Sequence, residues 1–484
     1  YIMEIKDLTP QIVWKNFYGL TQIPRPSKHE EVVREFLVKW AADHKIDCRV
    51  DKVGNVIMSK PATKGMENVC PVVLQAHMDM VPQARAGKEH NFLTDPIETK
   101  IVDGWVYACD TTLGADNGLG VAAAMAVLES KTIKHGPLEV LITTDEETGM
   151  TGAFGLKPNE LKGKYLLNLD SETEGELYVG CAGGIDATMQ IPYTTEPTPK
   201  DYCALKLTIG GLLGGHSGME INSGRTNANK LMFRMLRWVA DCGIRIISIE
   251  GGNMRNAIPR DAFVVITVPA RSGAKLKRLA AHCQELFASE FATIESGLTL
   301  TVEPTPLPES ETPEEIRDNL INAILGCQNG VMRYIPTIPD TVETSTNLSI
   351  VTIGEGEAEF QLLVRSSCDS MKMYQAVSLE SCFAMAGMKV EFSGAYSGWQ
   401  PNVESHVLAE MKSAYKKLFG TEAIVKVVHA GLECGIIGAV NEGMDMISFG
   451  PTLMSPHSPD ERVYIPSITR FYDLVRHVVA DGVK

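Results

Sequence analysis

Four apolar runs along the chain lack the alternation of a half-exposed strand. Val72 to Leu74, Leu138 to Thr144, Tyr165 to Leu169 and Met444 to Phe449 read as buried strands of a parallel sheet. Each leads into polar, chemically capable residues. The first ends in His77 and Asp79, whose spacing of two sends both side chains to one face. The second ends in Asp145-Glu146-Glu147, the third in Asp170, and the fourth runs into a loop that carries His457. In open α/β sheets ligands gather at the carboxyl ends of the strands. Between these runs the period changes to that of helices. Residues 29–44 place Val32, Val33, Phe36, Leu37 and Trp40 on one face. Residues 11–18 form a shorter helix, set apart by Pro24 and Pro26. Residues 47–59 read as strand, Gly54-Asn55 turn, strand. Residues 83–110 are polar and irregular, and a glycine-rich loop with Asp116 leads into an alanine-rich helix.

Residues 185–397 have a different texture. Strands near 205–209, 262–268 and 298–302 alternate with helices near 227–240 and 276–291. After a Pro/Glu-rich link at 303–315 a similar order recurs, with Arg271 and Arg365 closing corresponding strands. This predicts a duplicated small α+β unit, although two ordinary βα alternations would look alike. From 398 the rhythm of the first 184 residues returns. The expected organisation is therefore a mixed-sheet α/β domain built from 1–184 and 398–484, with an inserted α+β lid domain at 185–397.

Composition narrows the class. The 484 residues are 44% hydrophobic and 22% charged, as in globular proteins, and are too many for one ordinary core. A formal net charge of −15 argues against nucleic acid or an anionic membrane as a partner. No apolar run is long enough to span a bilayer, and the first ten residues do not read as a signal peptide. The 11 scattered cysteines, without a Cys-x-x-Cys, read as reduced thiols of a cytoplasmic protein.

Taken singly, the candidate residues have plain explanations. His77 and Asp79 could be a capped strand-end histidine, and Asp116 an N-cap. Adjacent Glu146 and Glu147 repel each other, so a positive group or a proton belongs beside them. Jointly, His77, Asp116, Glu146/Glu147, Asp170 and His457 at one sheet edge form a ligand set for two divalent metals. Imidazole and carboxylate suit Zn, Mn or Co.

The chain also resembles the M20 family of metallopeptidases, and within it the aminoacyl-histidine dipeptidase branch. The similarity rests on His77-Met-Asp79, Gly114-Ala-Asp116-Asn, Glu146-Glu147, Asn168-Leu-Asp170, Gly214-Gly-His216-Ser-Gly, Arg255-Asn256-Ala-Ile-Pro, His429-Ala-Gly-Leu-Glu433-Cys-Gly and Pro456-His457-Ser-Pro-Asp-Glu461. The resemblance implies that His77 and Asp170 bind one metal and Glu147 and His457 a second, with Asp116 bridging. It implies that Asp79 orients His77, that Glu146 is the general base, and that the Asp116–Asn117 peptide is cis. His216, Asn256 and Arg365 would reach the substrate from the lid, Arg365 as the anchor of a free carboxylate. A surface loop histidine and a surface salt bridge are the plain alternatives for His216 and Arg365. The implied activity is hydrolysis of Xaa-His dipeptides, β-alanyl-histidine included. An amidohydrolase of N-acyl amino acids and a non-catalytic metal-binding scaffold are the competing classes. A homodimer is left open.

Overall fold

The computed structural model describes residues 4–481. Residues 1–3 and 482–484 lie outside the described residues. The chain divides into two compact units. Among the described residues the first comprises 4–180, 399–427 and 432–481; the second comprises Cys181–Gly398 together with the short segment Val428–Gly431.

The first unit is organised by an eight-stranded sheet. Its centre is four parallel strands in the order Leu138–Thr143, Val72–His77, Tyr165–Asn168 and Asp445–Ser448. The first two are buried at every position, which is why their sequences are nearly continuous apolar runs. Antiparallel strands flank them, including Asp47–Val50 and Val56–Lys60 on one side. The sheet is therefore mixed. Helix Gln11–Thr21 buries Val13, Trp14, Phe17 and Leu20 and packs on helix Ala115–Glu129. That second helix is alanine-rich, so it lies close against the Val72–His77 strand. Helix Ile465–Asp481 packs on His406–Phe419.

The stretch 83–110 is less irregular than its sequence suggests. Thr99–Val102 and Trp105–Ala108 form a hairpin, and this joins Arg462–Tyr464 and Leu453–Met454 in a four-stranded sheet. Strands of two to four residues, with few fully buried positions, leave too little periodicity to read. This small sheet grips both ends of the loop that carries His457.

The second unit contains a nine-stranded antiparallel sheet with four helices of at least twelve residues packed against it. Its main path runs Thr299–Thr305, Tyr202–Gly210, Ala262–Pro269, Arg245–Gly251, Val342–Gly354, Glu357–Ser366, Gly183–Pro192, Lys389–Tyr396. Read inward from the two edges, the halves match. Each has a β-α-β-β-α-β order, with helices Ala228–Val239 and Gly273–Glu290 in one half and Glu314–Gly326 and Asp369–Ala384 in the other. The halves meet where Arg245–Gly251 pairs with Val342–Gly354. Their cores fuse through aromatic rings: Phe233 lies 6.4 Å from Phe360, and Phe360 5.8 Å from Phe383, centroid to centroid. The arginines differ in position. Arg271 lies in a short turn beyond its strand and is exposed, whereas Arg365 is inside its strand and buried.

Among the described residues no helix is long and apolar enough to cross a membrane, and none of the 11 cysteines is in a disulfide.

Candidate metal and active site

The parallel strands of the first unit bring its chemistry to one edge. His77 is the last residue of its strand. Asp170 lies two residues beyond Asn168, and Glu146 opens the short helix after the Leu138–Thr143 strand. His77 Nε2 lies 3.1 Å from Asp116 Oδ1 and 3.4 Å from Asp170 Oδ1. His457 Nε2 lies 3.1 Å from Asp116 Oδ2 and 3.0 Å from Glu147 Oε2. Asp116 thus offers one oxygen to each imidazole. Glu146 Oε2 stands farther off, 3.9 Å from His77 Nε2.

This donor set fits divalent cations. His77, Asp116 and Asp170 form one group of candidate ligands and Asp116, Glu147 and His457 another, each with its donor atoms within 4.8 Å of one another. With metal–ligand bonds of ~2.0–2.2 Å, neighbouring ligands of a tetrahedral site are about 3.4 Å apart. The observed separations are of that size. Glu147 Oε1 is buried without a hydrogen-bond partner, a donor left over for a cation.

Burial and close neighbours shift the pKa values of the cluster. Burial alone would lower the His77 pKa, but Asp170, Asp116 and Asp79 raise it well above its ordinary value. Hydrogen bonds to Asp116 and Glu147 push His457 up to about 11. Burial pushes Asp170 up to about 7 and raises Glu146 well above the usual carboxylate range. Metal binding displaces such protons.

Asp79 stands behind the cluster. Its Oδ1 meets His77 Nδ1 at 3.2 Å and accepts the Glu146 N–H; its Oδ2 accepts the Glu147 N–H and the Ser27 hydroxyl. One carboxylate thus orients the imidazole and caps the turn bearing both glutamates. Burial would raise its pKa, yet these bonds hold it down to about 2. The Asp116–Asn117 peptide is cis. Both residues depart from helical angles at the start of Ala115–Glu129. Asn117 accepts the His77 N–H and donates to the Leu169 carbonyl, tying three loops together.

Several supporting residues are not apparent from the sequence. Glu461 accepts the N–H groups of Leu113, Gly114 and Asp116, so it joins the His457 loop to the Asp116 loop. Buried Arg25 donates to the carbonyls of Met78, Asp79 and Gly114. One rung below the ligands, a polar chain crosses the four central strands. Glu433 accepts from Thr143 and Gln75, Gln75 accepts from Asn168, and Asn168 accepts from Ser448. Burial pushes Glu433 up to about 8, and its Oε1 has no partner. Glu433 and Glu461 stand within motifs that carry the family resemblance, but nothing local marks their roles.

His216, Asn256 and Arg365 lie in the second unit. His216 pairs with Ala257 in a two-residue ladder, and the Asn256 carbonyl accepts the Ser217 N–H. His216 Nδ1 accepts the N–H groups of Gly218 and Met219. The ring proton therefore sits on Nε2, which is left free to donate. Arg365 is 5% exposed, and among the described residues its side chain donates to the Ser217 and Tyr396 hydroxyls. No carboxylate among the described residues forms an ion pair with it.

The profile of Peptidase family M20/M25/M40 matches residues 73–481. The chain is 44% identical over 479 residues to the cytosol non-specific dipeptidase of Escherichia coli K12, covering 99% of each. The crystal structure of aminoacylhistidine dipeptidase from Vibrio alginolyticus matches with a TM-score of 0.94 and 44% identity, covering 99% of this chain and 98% of that one. Aminopeptidase PepT from Bacillus cereus shares the fold at TM-score 0.58 and 17% identity, covering 99% and 100%. The chain belongs to peptidase family M20. It is a hydrolase, and enzymes of this family depend on metal.

Proposed function

We propose that this chain is a cytoplasmic dipeptidase that uses two divalent cations to hydrolyse Xaa-His dipeptides, β-alanyl-histidine included. The observation that carries the reading is the pair of donor groups sharing Asp116, with Glu146 beside them and outside the tightest contacts. His77 and Asp170 would hold one ion, Glu147 and His457 the other, and Asp116 would serve both. Zn fits this donor set, as do Co and Mn. When bound, such ions would supply Lewis acidity to the scissile carbonyl and lower the pKa of the attacking water. Glu146 takes the water proton and delivers it to the leaving nitrogen. Its burial supports this role, because a carboxyl with a raised pKa can hold that proton. Asp79 keeps the His77 tautomer fixed. His216 donates its free Nε2–H to the developing oxyanion. Asn256, just before the ladder strand that pairs with His216, adds a further contact. Arg365 binds the free carboxylate in bidentate fashion, supported by its burial without a carboxylate partner. The names of the two 44%-identical proteins support a dipeptidase. The substrates are small peptides, and a homodimer is compatible with this reading.

The test is a panel of Xaa-His dipeptides, other dipeptides and N-acetyl amino acids. Metal-stripped enzyme is reloaded with Zn, Mn or Co for each. Histidine release from the Xaa-His series should dominate. Preferential acetate release would replace this reading with an N-acyl amino acid hydrolase.

A further inference from the structure

Two buried polar groups of the second unit gather at one rung of its sheet, one without a carboxylate partner and one with a ring nitrogen that has no hydrogen-bond partner. The first is the Arg365 guanidinium. The second is His429, 8% exposed, whose Nδ1 is buried with no hydrogen-bond partner. A buried polar atom left unpaired loses its hydration without replacement, so such an atom asks for an explanation.

The register sets the rung. Ser345 lies directly opposite Arg365, Arg365 opposite Gly184, and Gly184 opposite Tyr396. Directly opposite residues of antiparallel strands point to the same face. Gly184 leaves the middle of the row open: a Cβ there would come within 2.6 Å of the Tyr396 ring. Arg365 Nη1 can therefore donate to the Tyr396 hydroxyl at 3.2 Å. At the other end, Ser345 Oγ lies 2.7 Å from His429 Nε2. The loop of His216 closes on the same place, because a Cβ on Gly218 would collide with the His429 carbonyl and lie 3.0 Å from the His216 ring. The acidic groups nearby are engaged elsewhere. Asp186 pairs with Arg255 at 3.6 Å, and Glu220 with Arg225 at 3.7 Å.

Burial, with Arg365 and His216 close by, drives the His429 pKa down to about 3, so its ring is neutral. A neutral imidazole has one donor and one acceptor nitrogen. If the Ser345 hydroxyl donates to Nε2, Nδ1 carries the proton.

We infer that His429 is a substrate-binding residue, its Nδ1–H joining the Arg365 guanidinium in holding the C-terminal carboxylate of the peptide. Ser345 is the positioning residue: its hydroxyl donates to Nε2 and leaves the ring proton on Nδ1. The inference rests on the dipeptidase reading above and adds to it a second, uncharged donor. A neutral donor recognises a carboxylate without adding a further buried charge beside Arg365.

The experiment compares wild type, His429→Phe and His429→Asn, each checked for an unchanged melting temperature and metal content. Phe keeps the ring volume without a donor; the Asn amide nitrogen replaces Nδ1. Kinetics are measured on an Xaa-His dipeptide and on its C-terminal amide. Binding of free L-histidine and of histidine amide to the metal-loaded enzyme is measured by calorimetry. His429→Phe should raise KM for the dipeptide about 10- to 100-fold with little change in kcat. It should affect the amide much less and weaken histidine binding in parallel, and His429→Asn should recover most of both losses. Equal losses on acid and amide, a wild-type KM in His429→Phe, or no recovery in His429→Asn would each overturn the assignment. If wild type cleaves no dipeptide at all, the functional reading has failed; the calorimetry still decides whether His429 binds a carboxylate.

Discussion

The two units concentrate opposite kinds of charge. In the first, Asp116, Glu146, Glu147 and Asp170 crowd around two imidazoles at the edge of a parallel sheet. In the second, buried Arg365 stands with His216 and His429 near it and no carboxylate paired to it. Each arrangement buries ionisable groups, whose desolvation works against folding. The first is a surplus of acceptors, which suits cations. The second is a surplus of donors, which suits an anion. The way each is built differs too. The acidic cluster sits on strand ends and loops, where ligands converge from four strands. The basic one sits mid-strand on a rung set by antiparallel register.

Metal removal should separate the two most sharply. A chelator is expected to abolish dipeptide hydrolysis and to lower Tm, because a cation that binds only the folded cluster stabilises it and its removal takes that stabilisation away. Elemental analysis must accompany the assay. Full activity in a metal-free preparation would break the comparison outright.

Within the acidic cluster the adjacent glutamates should part company. Glu146→Gln should keep metal and fold but lose about 100- to 10,000-fold in kcat. Glu147→Gln should lose metal from one site, read by elemental analysis. The reverse pattern would exchange their roles.

The basic site should respond more mildly and in a different currency. Arg365→Ala should leave metal content unchanged and cost roughly 2–5 kcal/mol in kcat/KM on the dipeptide. The C-terminal amide should lose far less, because it never had the ionic contact. If wild type cleaves amide and acid equally well, Arg365 is not the carboxylate anchor.

The acidic cluster is legible in the sequence, because each member stands at the end of an apolar run or beside a glycine-rich turn. That signal is local. His77 and Asp79 share a strand face whatever else the chain does, and Glu146 and Glu147 must repel wherever they are put. The apolar strands likewise announce a parallel sheet, since burial on both faces leaves no room for polar positions. The second unit's duplication is only partly legible. The strand Gly183–Pro192, which completes one repeat, precedes the whole of the other repeat in sequence, so a linear reading meets the halves out of step.

The sequence by itself therefore determined which side chains could do the chemistry and that strand ends would carry them. Tertiary structure alone decided what holds them. Glu461 reaches Asp116 across 345 residues, Glu433 reaches Gln75 across 358, and His429 meets Ser345 across 84. These are ordinary polar residues whose meaning lies in a partner, and strand order and register choose the partner. A strand end can be read from one segment. A hydrogen bond between distant segments exists only once the chain has folded and water has been excluded from both.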